Sequence, residues 1–519
     1  MKSNILKYAR VFCAVVMMLS IVTLFCDTTG IARHYLGWSV DIQFFPSISA
    51  GLIAAFLSTM IVTKLFGRIY CSVICPLGIF QDIVARLGRL TKKQKIKYSY
   101  SNEKLWLRLI ITLLFIASYI ICAYPIVGLL EPYSIFGRMA TTLLAPVGRF
   151  IAEHLAASSE AAGTYTYAMP AELNYSYVML GIALFSLVLI AILAFRGGRT
   201  YCNTICPVGT ILSIFAENPV MKPVIDHDKC VKCGLCAKKC KASCIDAKNG
   251  IVDSSRCVDC MDCISACNKG AISFTTPADS DKTPNIIKRI KKSFSKDGAC
   301  PVSTEKSNTP DESKRAFLTV GAIVAGSAMS KSMAKVFDGG LAEITEKKEP
   351  KRENRITPPG SKSYKHIEDV CTSCGLCITA CPNSVLRPSE DLSSMLTPVM
   401  SFEKGYCRPE CKRCSDVCPT GAISLADLAE KSATHVGHAV LIADNCISMK
   451  KGVSCGNCAR HCPAGAITMA PTVDGDETSA KMPVIDPMRC IGCGACENLC
   501  PSSPYSAIYV EGHRVHRID

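Results

Sequence analysis

CVKCGLCAKKC at residues 230–240 and CVDCMDCISAC at residues 257–267 decide how this chain is read. Each is Cys-x2-Cys-x2-Cys-x3-Cys. Three closely spaced thiolates wrap three corners of a [4Fe–4S] cubane, and the fourth, on a following helical turn, reaches the neighbouring cluster. Cys230, Cys233, Cys236 and Cys267 are therefore expected to hold one cluster, and Cys257, Cys260, Cys263 and Cys240 the other. Zinc sites use paired knuckles, often with histidine, so this spacing speaks against zinc. The residue after the fourth cysteine is usually proline; here it is Lys241 or Asn268. Cys244 stands outside the pattern and reads as buried filler.

The same spacing, the bacterial ferredoxin pattern, recurs near the C-terminus. CTSCGLCITAC spans 371–381 before Pro382, and CIGCGACENLC spans 490–500 before Pro501. The cysteines involved are Cys371, Cys374, Cys377 and Cys381, then Cys490, Cys493, Cys496 and Cys500. Two variants lie between them. Cys407, Cys411, Cys414 and Cys418 have a longer first gap, and Cys446, Cys455, Cys458 and Cys462 a longer one still. The three-cysteine core survives in both, so both are expected to bind clusters. Six quartets take 24 of the 33 cysteines and leave nine. With the two ideal motifs outermost, nested pairing is expected, first with fourth and second with third; sequential pairing is the alternative.

The rest of the chain is apolar and basic. Its 519 residues suggest three or more structural units. Hydrophobic residues make up 49%, and the mean hydropathy is +0.25. Disulfide scaffolds are short secreted chains without long apolar segments, which excludes that use of the cysteines. Four segments read as membrane spans of about 20 residues: Ala9–Cys26, Ile48–Phe66, Leu105–Tyr124 and Tyr177–Phe195. The first carries basic Lys2, Lys7 and Arg10 at its start but has no small-residue cleavage site, so it reads as retained. Arg68, Arg86, Arg89, Lys92, Lys93, Lys95, Lys97 and Lys104 follow the second segment. The loops after the first and third segments carry only Arg33, Arg138 and Arg149, so the basic loop is expected in the cytoplasm. Residues 133–155 read as an interfacial or packed helix outside. The net charge of +15 is explained by this loop bias, and no nucleic-acid-binding motif accompanies it.

One further motif is duplicated. GRIYCSVICPLG spans 67–78 and GRTYCNTICPVG spans 198–209, carrying Cys71, Cys75, Cys202 and Cys206. The repeat suggests two related half-units facing each other. Its bland reading is helix-end packing; a metal, redox or docking role is the alternative. Two Cys-x3-Cys-Pro motifs on a four-span core, followed by ferredoxin repeats, resemble the NapH-type quinol dehydrogenase subunit of periplasmic nitrate reduction. NosR-like regulators and CcoG-type oxidase assembly proteins share the motif.

Residues 276–312 read as a basic linker, with KRIKKSF at 288–294 suited to anionic lipid; Cys300 within it has no motif. Ser313–Lys335 resembles a twin-arginine signal, with Lys314 replacing the first arginine before Arg315, Phe317 and Leu318. Its apolar run, Ala316–Ser330, is a candidate fifth span; a surface helix is the bland alternative. A twin-arginine leader and four cluster motifs are features of NapG/MauM-type ferredoxins, so the chain resembles a NapH-type and a NapG/MauM-type protein joined end to end.

The expected fold class is an α-helical membrane domain of four or five spans with two α+β ferredoxin-like domains. The expected division is 1–215 membrane domain, 216–280 two-cluster ferredoxin, 281–355 linker and twin-arginine-like segment, and 356–519 four-cluster ferredoxin. No dinucleotide fingerprint, P-loop or haem motif is present. The chain therefore reads as an electron carrier or quinol dehydrogenase subunit in a bacterial cytoplasmic membrane. The first ferredoxin would face the cytoplasm and the second the periplasm, passing electrons from quinol or another membrane donor to a reductase or cytochrome. A maturation or regulatory protein handling metal ions is the alternative. His34 and Glu131 are weighed as proton-handling residues near the outer face, against ordinary structural roles.

Overall fold

A computed structural model describes residues 2–90, 98–121, 123–164, 169–170, 172, 176–276, 347–472 and 479–519. Cys122, Cys300, the basic stretch 91–97 and the twin-arginine-like segment Ser313–Lys335 lie outside the described residues.

The N-terminal part is helical. Helix α1 (Lys2–Cys26) has neither glycine nor proline within it and is rich in Val, Leu and Met, residues that helices tolerate when buried or in lipid. It stops at Asp27, whose carboxylate accepts from the Thr29 and Ala32 amides at 2.8 and 2.9 Å. Three more apolar helices follow: α2 (Ile53–Phe66), α3 (Leu105–Ile120) and α4 (Tyr177–Gly197). Ser176 caps α4 by accepting from the Met179 amide at 3.4 Å.

The expectation of four or five spans is corrected here. Among the described residues only Ile5–Cys26 and Tyr177–Gly197, at 22 and 21 residues, are long and apolar enough to cross a membrane. The second apolar segment is broken. Phe44–Ser49 forms one short helix, Gly51 turns at φ +70°, and α2 then has only 14 residues. The third ends at Ile120 and restarts as Tyr124–Leu130 around Pro125, leaving 16 residues in α3. At 1.5 Å per residue these reach about 21 and 24 Å, short of a hydrocarbon core of about 30 Å. The region 133–155 is a packed helix rather than an interfacial one at its start: all of Pro132–Met139 is buried.

The ferredoxin units share one plan. In 222–275, β1 (Lys222–Ile225), the hairpin β2 (Ile245–Asp246) and β3 (Ile251–Val252), and β4 (Ile272–Thr275) frame the two motifs. β1 pairs antiparallel with β4, and β2 with β3. In the C-terminal domain β5 (Leu386–Pro388) and β6 (Pro398–Met400) form the hairpin between the first two motifs. β7 (Thr434–Leu441), β8 (Ile467–Pro471), β9 (Lys481–Ile485) and β10 (Ile508–Ile518) repeat the first unit's plan, β8 pairing β9 and β7 pairing β10.

Both assemblies pack on the helices, at opposite ends. Near the start of α1, Lys7 pairs with Asp262 of the first unit at 3.0 Å. Beyond its end, Arg413 donates to Thr28 O at 3.0 Å and Arg33 to Asp416 O at 2.8 Å. Helix α4 runs the other way. Ser176 at its start donates to Glu390 at 2.9 Å, and just past its end Arg199 N donates to Lys241 O at 2.8 Å.

Candidate functional site

The cysteine loops are shaped by paired left-handed residues on either side of the middle cysteine. Lys232 and Gly234 have φ of 51° and 72°, Asp259 and Met261 48° and 60°, Ser373 and Gly375 55° and 81°, and Gly492 and Gly494 72° and 79°. Two such turns in succession curl the chain back on itself, so that three side chains point inward. A five-residue helical turn, such as Leu235–Lys239 or Asp262–Ala266, then carries the chain to the fourth cysteine.

The quartets close as the spacing demands in the first unit. Cys230, Cys233, Cys236 and Cys267 line one cavity. The Cys263 thiol is pushed well up by burial and by its neighbours Cys260, Cys257 and Cys240, which identifies the second quartet. In the C-terminal domain Cys371, Cys374 and Cys377 meet Cys418. Burial raises the Cys414 thiol, with Cys407, Cys381 and Cys411 around it. Cys446, Cys455 and Cys458 meet Cys500, and Cys490, Cys493 and Cys496 meet Cys462. Pairing is thus sequential, and the nested expectation is wrong. The reason is connectivity: each pair of motifs is joined by its own hairpin, β5–β6 or β8–β9, which folds the second motif back on the first.

These quartets suit a cubane. Among the described residues no three His, Cys, Asp or Glu side chains close tightly enough to hold a single metal ion; the thiols stand around a space instead. Amides point at the sulfurs as a thiolate cluster requires. Ala271, Ala466 and Ala507 donate to Cys267, Cys462 and Cys500 at 3.3 Å, and Ser373 to Cys371 at 3.4 Å.

Several surrounding residues escaped sequence reading. Cys244 is more than filler, since its sulfur lies 3.5 Å from Cys240 Sγ and the contact brings the Cys240 thiol down to about 7. Lys241, in the proline slot, is buried and bridges Asp82 at 2.9 Å and Asp262 at 3.4 Å. Burial opposes ionisation of Asp82, but Arg199 and Lys241 hold its carboxyl well below the usual range. Buried Lys431 donates to the carbonyls of Arg408 and Cys411 beside the second C-terminal quartet. For the charged residues among these the only signal is a charge near a motif, which sequence alone reads as solvated. Glu131 is buried and caps the helix Pro132–Met139 by accepting from the Tyr133 and Ser134 amides. His34 lines a cleft with Asp27, Arg33 and Arg413 between the helices and the C-terminal domain.

The four cysteines of the duplicated motif are all buried and lie in one cluster, close enough to act on one another electrostatically. Each motif leaves an apolar helix through a left-handed glycine, Gly67 at φ 78° or Gly198 at 66°. Arg68 donates to Cys202 O at 3.0 Å while Arg199 donates to Cys71 O at 2.6 Å, a reciprocal exchange across the repeat.

This combination of fold and quartets defines a multi-cluster iron–sulfur protein of ferredoxin type. Family models described as "4Fe-4S binding domain" match residues 49–95 and 179–222, and 364–387, and one described as "4Fe-4S dicluster domain" matches 406–466 and 451–503. The methylamine utilization ferredoxin-type protein MauM of Paracoccus denitrificans is 32% identical over 167 residues, 31% of this chain and 73% of that protein. The ferredoxin-type protein NapF of Escherichia coli is 30% identical over 163 residues, 31% of this chain and 90% of NapF. MauM of Methylobacillus flagellatus is 30% identical over 155 residues, 28% of this chain, and the chain spans 63% of its length. The chain belongs to this family of ferredoxin-type iron–sulfur electron-transfer proteins.

Proposed function

We propose that the chain carries electrons through six [4Fe–4S] clusters, from quinol or another membrane donor to a reductase or cytochrome on the far side of a membrane. Such clusters take up and release single electrons at potentials tuned by burial and hydrogen bonding. The chain's part is to place the thiolates, aim amides at them and exclude water. The 24 cysteines of the six quartets are the proposed ligands.

The observation that carries this reading is the placement of α1 and α4. Each is about 30 Å long or more, the thickness of a hydrocarbon core. Each has the first ferredoxin unit at one end and the C-terminal domain at the other. Their outward faces present large apolar side chains, Tyr8, Phe12 and Leu19 on α1 and Phe185 and Ile192 on α4, a surface that water penalises and lipid does not. Arg86 and Arg89 favour the side of the first unit as cytoplasmic. The likeness of the duplicated Cys-x3-Cys-Pro motif to NapH-type subunits supports a quinol donor, and that of the C-terminal motifs to NapG/MauM-type proteins supports a periplasmic acceptor.

The test is made on full-length protein in lipid nanodiscs, oxidised and anaerobic. Addition of a quinol should bleach the visible cluster absorption. Absence of bleaching by any quinol, while dithionite bleaches it, would overturn the donor. A reporter fused after Asp519 should be active only outside the cytoplasm.

A further inference from the structure

We propose that the cleft where helix α1 meets the C-terminal domain is the site at which the chain binds and oxidises a lipophilic hydroquinone. This rests on the membrane donor proposed above and gives it a place. The cleft has a volume of about 420 Å3, a size that suits a small organic ligand. One wall starts at Leu24 and Asp27, at the last turn of the membrane-length helix Ile5–Cys26. A ligand dissolved in lipid would therefore meet it at the membrane surface. Ile31 lines the cleft, and Ile31, Tyr35 and Trp38 are all exposed on the same segment. They form an apolar and aromatic fringe of the kind that sits at headgroup level.

Another wall is built from two short helices, Leu376–Ala380 and Arg413–Val417. They present Leu376, Ala380, Arg413 and Val417 to the cleft. Each of these four is the chain neighbour of a proposed cluster ligand, Cys377, Cys381, Cys414 or Cys418. Cys377 and Cys418 belong to one quartet, Cys381 and Cys414 to the other. Two one-electron acceptors thus stand one residue behind the same wall. A hydroquinone gives up two electrons, and a cleft backed by two such acceptors can take both without moving the ligand.

Oxidation of a hydroquinone also releases two protons, and most polar groups around the cleft are already engaged. The Asp27 carboxylate accepts from the Thr29 and Ala32 amides. Arg413 donates to Thr28 O, and Arg33 donates to Asp416 O and to Asp41. His34 differs. It is exposed to water, its ring stands edge-on to Tyr35 with centroids 4.9 Å apart, and among the described residues the ring makes no hydrogen bond or ion pair. An imidazole so placed can accept a hydroquinone proton and pass it to water. The step balances. Both O–H bonds of the hydroquinone break, one electron goes to each of the two clusters, and the two protons leave in turn through His34 to water. The product is the quinone.

The test uses the full chain in lipid nanodiscs, kept anaerobic. Azido derivatives of a ubiquinone and a menaquinone analogue are bound in the dark and photolysed. At least one should label peptides from 24–38 or 376–417, the segments that line the cleft, and an excess of the parent quinone should protect them. Labelling confined to other peptides overturns the proposal. His34→Ala changes an exposed position, so it should keep its iron and its bleaching by dithionite. Its bleaching by the matching quinol should slow by about a hundredfold, and added imidazole should restore part of the rate. A rate equal to that of the unaltered chain, or a loss that imidazole does not repair, overturns the proposal. If no quinol bleaches the unaltered chain, the donor reading fails and this site with it. Bleaching with the label elsewhere overturns the site alone, so the two failures are distinguishable.

Discussion

The first ferredoxin unit and the last one follow the same plan and are held in different ways. In the last, Pro463 and Pro501 follow the fourth cysteines, and β10 pairs with β7 from Ile508–Leu441 to Ile518–Thr434, closing the unit on itself. In the first, the closing pair β1–β4 spans only four residues on each strand. Lys241 occupies the proline slot and is salt-bridged to Asp82 of the helical part. The comparison separates two tasks. Cluster geometry comes from cysteine spacing and left-handed turns, which both units share. Attachment comes from what stands just after the fourth cysteine, which they do not share.

The largest expected effect tests the shared part. Cys371→Ser/Cys418→Ser removes two ligands of one quartet under sequential pairing, so iron should fall by about four per chain; nested pairing predicts about eight. The next separates the two units. Lys241→Ala leaves Asp262 and Asp82 with fewer partners in a buried place and should cost about 1–3 kcal/mol in thermal or denaturant unfolding. Pro463→Ala, which breaks no such contact, should cost less than about 1 kcal/mol. Equal losses would erase the distinction. Gly198→Ala should cost about 1–2 kcal/mol from its left-handed backbone alone. It should also loosen docking, because its Cβ would meet Lys241 O at 2.4 Å; faster amide exchange at the Lys241 turn is the readout. Smallest is Cys244→Ala, which removes a sulfur contact 3.5 Å from Cys240. Iron should stay constant and stability fall by about 1 kcal/mol or less.

What sequence could and could not reveal follows the same division. Ligand spacing is local, so the cysteine motifs and the duplicated motif are readable without a structure. The partner of each fourth cysteine depends on which motifs share a hairpin, and the symmetry between ideal and variant motifs misled on that point. The span count failed because hydropathy averages over Gly51 and Pro125, where the backbone breaks. Lys241 reads as a lost turn residue because the carboxylates that need it are distant in sequence, Asp82 in the helical part and Asp262 inside the second motif. Arg68 reads as a loop charge, yet it and Arg199 are both completely buried, each donating to a carbonyl of the other's motif.

The most direct test of the account is the iron and acid-labile sulfide content of the full-length chain, purified without oxygen from cells replete in iron. Six ferredoxin quartets predict about 24 of each per chain. A value near eight, with the protein folded and monodisperse, would mean that a single two-cluster unit is loaded and would contradict it.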